Sequence, residues 1–332
     1  FALAARHRTK GILRQGHHAL QRRFGVVVSS PPLPMYRFWT SATDLVGAFR
    51  AKQRGALPHF QRFTTQTLLS MPVIASEKIV IAGAGRIAWH LGRRLKSKGL
   101  PIAQIVARNP DAARSLAEVL RCDWTADYAE LCPDADWLLM AVRDDAIEPV
   151  AQRLQPYAVS ALVTHTSGAT PGSVLAPFFE RYGVFYPLQS FSVERTPVWS
   201  RIPFCVDANQ DADLLFLRKV GKIIGNLVYQ VNDEQRALLH VAAVFANNFA
   251  NHCFAIAEKI LDEKELHFEM LHPLMEETVA KALQDSPEKM QTGPAVRGYT
   301  DTINRHLELL KTHPEWQLLY NQLTQSILSG LA

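Results

Sequence analysis

No run of about 18 apolar residues occurs anywhere in this 332-residue chain, so no membrane-spanning helix is expected. Cysteine is scarce: Cys122, Cys132, Cys205 and Cys253 lie far apart and form no CxxC pair. That spacing excludes a disulfide framework and a cysteine-built zinc site, and no metal is expected. Buried thiols in a reducing compartment are the simpler account, which points to a cytoplasmic protein. Acidic residues are nearly missing from the first 70 positions. These hold 11 of the 36 Lys/Arg but only one of the 31 Asp/Glu, Asp44. The remainder carries 25 bases against 30 acids, so the formal net charge of +5 resides wholly in the leading segment. The rest offers no basic surface for nucleic acid.

The leading segment also lacks a sustained helical or strand period and contains SSPPLP at 29–34. Its composition suits three readings: an organellar transit peptide, a disordered basic tail, or translated sequence upstream of Met71 that is not native protein. The expectation is a disordered or non-native basic extension over 1–70.

What is present begins at KIVIAGAGRIAWHLGRRLKSKG (78–99). A β-branched run, a glycine-rich turn and a stretch with Ile87, Leu91 and Leu95 on one stripe read as strand, turn and helix. The turn is Gly83-x-Gly85-x-x-Ala88. Gly83 allows the tight bend, Gly85 lets backbone approach a pyrophosphate, and Ala88 keeps the helix close to the strand. The pyrophosphate would rest on free N–H groups at the helix start, around Arg86 and Ile87. Val142, at the end of a later strand, joins this cofactor set. After the next strand (101–108) a fold preferring NAD usually carries an acid for the ribose hydroxyls. This chain has Arg108 and Asn109 instead, so NADP is expected over NAD. Helices at 111–120, 144–154, 176–183 and 211–225 alternate with strands at 135–142, 160–168, 184–187, 202–208 and 226–231. The expectation is an α/β Rossmann dinucleotide-binding domain over 71–231.

Beyond Val231 strand signals stop. Residues 233–264 contain neither proline nor glycine and read as one long helix, with Asn232 or Asp233 as its cap. Further helices are expected at 268–284 and within 299–328, where Pro314 marks a boundary. The second domain, 232–332, is therefore all-helical. Within the long helix, HVAAVFANNFANH (240–252) looks buried by composition, yet carries Asn247, Asn248 and Asn251. An unpaired buried amide is costly. His240, Val244, Asn247 and Asn251 fall on one helical stripe, with Asn248 beside it.

This order of domains resembles the superfamily of 6-phosphogluconate dehydrogenase, β-hydroxyacid dehydrogenases, ketopantoate reductase and pyrroline-5-carboxylate reductase. Within it the chain is similar to a bacterial family of NADP-dependent oxidoreductases of unsettled reaction. That family joins a Rossmann-like domain to a C-terminal domain of unknown function. The segments carrying the resemblance are GAGRIAWHL (83–91), THTSGA (164–169), GVFYPLQSFS (183–192), LLHVAAVFANNFANH (238–252) and MQTGPAVRG (290–298). It implies that the loop of His165, Ser167 and Gly168 lines the nicotinamide and substrate, though a turn needing Ser and Gly accounts for those residues too. Gln189 suits a pocket wall, as it suits an ordinary packed loop.

In the superfamily the long helix presents a catalytic lysine and, four residues later, an asparagine. Here Ala243 and Val244 stand four before Asn247 and Asn248, so the lysine is absent. Either His240 takes the acid role, or the acid comes from elsewhere, or there is no such chemistry. The asparagines hold substrate or cofactor amides, or bond across a helical interface. Arg297 suits an anionic substrate or a partner subunit. The resemblance implies a homodimer acting on a small carbonyl, hydroxy acid or imine, with His240 or His165 donating a proton and Ser167 and Asn247 orienting substrate. The other readings are a dinucleotide sensor without turnover and a deazaflavin-dependent reductase.

Overall fold

The computed structural model describes residues 77–192 and 195–330. The expectation about residues 1–70 lies outside them. Eight strands form one sheet: β1 (Ile79–Ala82), β2 (Ile102–Val106), β3 (Asp123–Thr125), β4 (Trp137–Met140), β5 (Leu162–His165), β6 (Tyr182–Pro187), β7 (Pro203–Ala208) and β8 (Leu227–Gln230). Their order is β3-β2-β1-β4-β5-β6-β7-β8. Every neighbouring pair is parallel except β6 with β7.

Helices cover both faces, which is why β1 and β4 are apolar throughout rather than alternating. On one face lie α1 (Arg86–Ser97), α2 (Pro110–Leu120) and α4 (Asp211–Ile224). They bury Leu91 and Leu95, Leu116 and Leu120, and Leu217, Val220 and Ile224 against Ile79, Ile81 and Phe204. On the other, α3 (Ile147–Leu154) sets Ile147, Val150 and Leu154 against Val80, Leu138 and Val163. Each such side chain contributes roughly 1.5–3 kcal/mol on burial. A polar pair within this core, Trp137 Nε1–H donating to Thr164 Oγ1 at 2.8 Å, satisfies both groups.

Two local expectations are corrected. The helix expected at 176–183 is absent. A single 3-10 turn, Gly172–Leu175, makes the crossover and β6 already starts at Tyr182. Pro177 and the shortness of the segment leave too few hydrogen bonds to nucleate a helix. Strand β3 had no sequence signal, because Asp-Trp-Thr is a three-residue edge strand.

From Asp233 the chain is helical: α5 (Asp233–Ala243), a π-helical segment (Val244–Phe249), α6 (Ala250–Asp262), α7 (His272–Gln284), α8 (Thr300–Leu309) and α9 (Pro314–Ser329). Asn232 is the cap, in a reciprocal pair with Gln235. The expected burial of 240–252 is overturned. Among the described residues beyond Val231 only Arg236, Ala295 and Thr324 are buried, while Phe245 is 66% exposed and Phe249 50%. These helices splay rather than pack into a core of their own. The π segment adds a residue to the turn that holds Asn247 and Asn248. The wider turn shifts the stripe expected from an unbroken α-helix, so residues beyond Phe249 do not keep the angular places read for them.

Candidate active site

Ligands of an open parallel sheet sit beyond the carboxyl ends of its strands, where the strand order reverses. Here that point lies between β1 and β4, and the glycine turn is built into it. Gly83 has φ +119°, and a Cβ there would lie 2.4 Å from the carbonyl oxygen of Ala141. Only glycine fits. Val142 closes the other side, its Cγ1 3.3 Å from the same point. Gly85 is different: exposed, with nothing within 4 Å of a Cβ built on it. It caps α1 without a side-chain hydrogen bond, and no acid stands in the first turn. The N–H groups around Arg86 and Ile87 therefore open outward beside free space, while Ala88 is fully buried against the sheet. Tight backbone under an uncapped helix start, with room above, fits a dinucleotide pyrophosphate.

Arg108 follows β2 on the same rim. It is exposed, and no hydrogen bond or ion pair engages it among the described residues. Asn109 acts locally, its Oδ1 accepting from the N–H groups of Asp111 and Ala112 to cap α2. A cap of this kind contributes about 1 kcal/mol. The cap fixes the bend after β2, the stretch on which Arg108 stands.

The second cluster forms where β5, β6 and α5 meet. Gly168 lies against Tyr186 and His240. A Cβ there would come within 2.6 Å of His240 Nδ1 and 2.9 Å of the Tyr186 hydroxyl. Tyr186 Oη and His240 Nδ1 are 3.4 Å apart, with the rings edge-on at 6.3 Å. His240 is half-buried and Tyr186 is 9% exposed. Burial pushes the Tyr186 phenol up to about 12, so it keeps its proton at neutral pH.

His165 does not fit proton donation. Its ring is wholly buried, Nδ1 accepts from the Ser167 N–H at 3.2 Å, and Nε2 faces the Pro171 carbonyl at 3.3 Å. Burial, with the nearby Arg236 charge, lowers its pKa to about 4. A neutral ring spending both nitrogens on its own loop positions that loop. Ser167 is likewise occupied, its Oγ accepting from the Ala169 and Thr170 N–H groups and bonded to Thr170 Oγ1. The turn-forming account of Ser167 is the one its contacts support.

Arg236 carries no motif in the sequence that marks it. It is 1% exposed, and its Nη2 donates to the Thr170 carbonyl at 2.6 Å and to Asp233 Oδ1 at 2.8 Å. Its Nε and Nη1 find no partner among the described residues. Asp233 also accepts from the Gly172 N–H at 2.8 Å and the Ser173 N–H at 3.4 Å. Against the cost of burial, these donors and Arg236 hold its carboxyl below the ordinary value. The helix start and the Ser167 loop are thereby locked together. His90, in the glycine-turn helix, gives no sequence signal either. Its Nε2 lies 2.9 Å from the Ser192 carbonyl and its ring stacks on Phe191, pinning the loop after β6.

The remaining expected residues are not drawn into this cluster. Gln189 is exposed and bonds its neighbour's N–H, that of Ser190. Asn247 and Asn248 are exposed and 3.5 Å from each other, Asn251 is exposed, and Arg297 lies over the Tyr299 ring at 6.0 Å. None is linked by hydrogen bond or ion pair to the strand ends among the described residues.

Known proteins share this plan. Residues 78–167 match the family described as NADP oxidoreductase coenzyme F420-dependent, and 202–327 match a domain of unknown function, DUF2520. A solved structure from Bacteroides fragilis, described as a candidate NADP oxidoreductase, is 37% identical over 77% of this chain and all of its own, with a TM-score of 0.73. A Thermotoga maritima protein shares the fold at 22% identity and TM-score 0.59, over 76% of this chain and 97% of its own. Among curated proteins, a pyrroline-5-carboxylate reductase of Pseudomonas aeruginosa is 33% identical over 85 residues, 25% of this chain. The matched segment spans 31% of that relative, about a third of its length.

Proposed function

We propose a function from one premise: this chain belongs to the family in which an NADP oxidoreductase Rossmann-like domain precedes the DUF2520 domain. It is an oxidoreductase that takes NADP and a small-molecule substrate, moving hydride to or from a carbonyl, hydroxy acid or imine. The observation carrying this is the glycine turn at the strand-order reversal, closed at Gly83 and open at Gly85. When bound, the cofactor supplies or accepts the hydride, and the protein orients both reactants.

Gly83, Gly85, Arg86, Ile87, Ala88 and Val142 form the cradle. Arg108 takes the 2′-phosphate, which selects NADP over NAD. His240 beside Gly168 lies where a substrate oxygen or nitrogen would receive a proton. Asn247, Asn248, Asn251 and Arg297 serve the substrate from the helical region, and the exposed apolar faces of α5 to α9 are covered in a homodimer.

Titrating the full chain with NADPH and with NADH, followed by cofactor fluorescence, tests the reading. Expected is NADPH binding at least about tenfold tighter than NADH, with Arg108→Ala removing most of the difference. Binding of neither cofactor would refute the assignment. A second reading has the family description behind it: hydride exchange between NADP and coenzyme F420, a deazaflavin. A spectral change of deazaflavin on mixing with protein and NADPH would mark it.

A further inference from the structure

Three features meet on the sheet face under α5, and the reading above uses only part of them. Tyr186 and His240 are paired across Gly168. Arg236 stands four residues before His240 on the same helix, fully buried, with two guanidinium nitrogens unpartnered among the described residues. The lysine expected of the superfamily is missing from this helix, so its proton must come from another group. Resting on that reading, we infer that Tyr186 is the proton source and passes it through His240, with Arg236 as a positioning residue that ties the helix carrying His240 to the loop carrying Gly168, and that the substrate is a carbonyl compound rather than an imine.

The step balances. Hydride reaches the carbonyl carbon, and the π pair of the C=O bond moves to oxygen. The His240 Nε2–H bond breaks toward that oxygen while Nδ1 takes the proton of the Tyr186 O–H. The product is the alcohol, and Tyr186 is left as phenolate until solvent returns its proton through the same ring. A weakly acidic phenol suits this acceptor. An alkoxide forming on carbonyl reduction is a strong base and needs no stronger acid, so the donor remains loaded at neutral pH. An imine has to be protonated before hydride reaches it, and a phenol pushed up to about 12 is a poor donor for that step. The loose 3.4 Å contact has the length common before substrate tightens such a relay.

The charged and titratable groups acting on the Tyr186 phenol are Cys205 from β7, Asp144 from the turn after β4 and Arg236 from α5, with His165 on the adjoining strand β5 and Asp233 paired to Arg236. His165 is neutral. Burial pushes the Cys205 thiol up to about 11, so it is neutral too. Asp233 is already committed to Arg236 and the Gly172 N–H. Gly168 is what permits the arrangement, since any side chain there would displace both rings.

The test has two independent readouts on the full chain. In the cofactor-free protein, nitrogen NMR of the His240 ring should show Nδ1 as acceptor and the proton on Nε2, and Tyr186→Phe should change that balance. An unchanged ring in Tyr186→Phe overturns the pair. Turnover is then followed with NADPH against simple ketones, aldehydes and 2-oxo acids, and against cyclic imines. Expected is reduction of carbonyl compounds, lowered about 10²-fold or more in kcat by Tyr186→Phe with NADPH affinity kept. Arg236→Lys should be milder and move the alkaline limb of the kcat–pH profile. Reduction of imines alone, or of no carbonyl compound, overturns the substrate class. Failure to bind NADPH condemns the broader functional reading, whereas NADPH binding with an undisturbed Tyr186→Phe variant condemns only this inference.

Discussion

Arg236 on the long helix donates to the carbonyl oxygen of Thr170, 66 positions earlier, at 2.6 Å. With Asp233 receiving the Gly172 N–H, this bond ties the helix that starts at Asp233 to the loop that carries Gly168. The two halves of the site are held by this half-buried ion pair together with the packing of Leu239 on Val184, Tyr186 and Cys205.

Removing one partner of that pair exposes its cost. Asp233→Ala strips the guanidinium of its carboxylate and the loop of its acceptor. Because Asp233 is partly exposed, the expected loss is about 2–3 kcal/mol, below the full cost of a broken buried pair. Urea denaturation checks it, and a double-mutant cycle with Arg236→Met should show strong coupling. Additive losses would mean the two residues act separately.

The two turn glycines should separate folding from binding. Gly83→Ala meets the Ala141 carbonyl at a forbidden φ and should cost about 2 kcal/mol or more. Gly85→Ala faces open space at φ −81°, so stability should change by no more than about 1 kcal/mol. NADPH affinity should nevertheless fall about tenfold or more, because the methyl occupies the approach to the helix start. Paired thermal melts and fluorescence titrations decide. An unaltered affinity in Gly85→Ala would move the cofactor elsewhere.

His165 gives the protein an acid limit. Its folded pKa of about 4 lies below the ordinary 6.5, so between those values the unfolded chain binds the extra proton. Stability therefore rises with pH across this window. It is complete above about 6.5 and is lost as pH falls toward 4, by up to about 3 kcal/mol. His165→Asn keeps an acceptor for the Ser167 N–H and should flatten that slope in denaturation midpoints measured from pH 7 to 4. An equally steep slope would place the sensitivity on other groups.

The proposed homodimer would cover the bare helices. Phe245, Phe249 and Leu283 are 66%, 50% and 83% exposed, far more apolar surface than an isolated domain keeps in water. Light scattering should give twice the chain mass, and Phe245→Glu should shift the protein toward monomer or aggregate. A monodisperse wild-type monomer would rule out this covering.

How much could be read beforehand depended on range. The glycine turn, the alternation of β1, β2, β4 and β5 with their helices, the Asn232 cap and the Pro314 boundary are written in neighbouring residues, because turns, caps and periodicity are local physics. The 3-10 crossover before β6 and the short β3 were not legible, since pairing with distant strands outweighs their weak propensities. The site divides the same way. Gly83, Gly85, Ala88 and Arg108 stand in one motif and its sequel, so the sequence alone could single them out as candidates. Tyr186, His240, Gly168 and Arg236 come from separate stretches, and only the folded sheet edge brings them together. The exposure of 240–252 shows the same limit: apolar composition pointed to burial, but whether this helix packs within its own chain is decided by tertiary structure, where geometry rather than composition determines which residues touch.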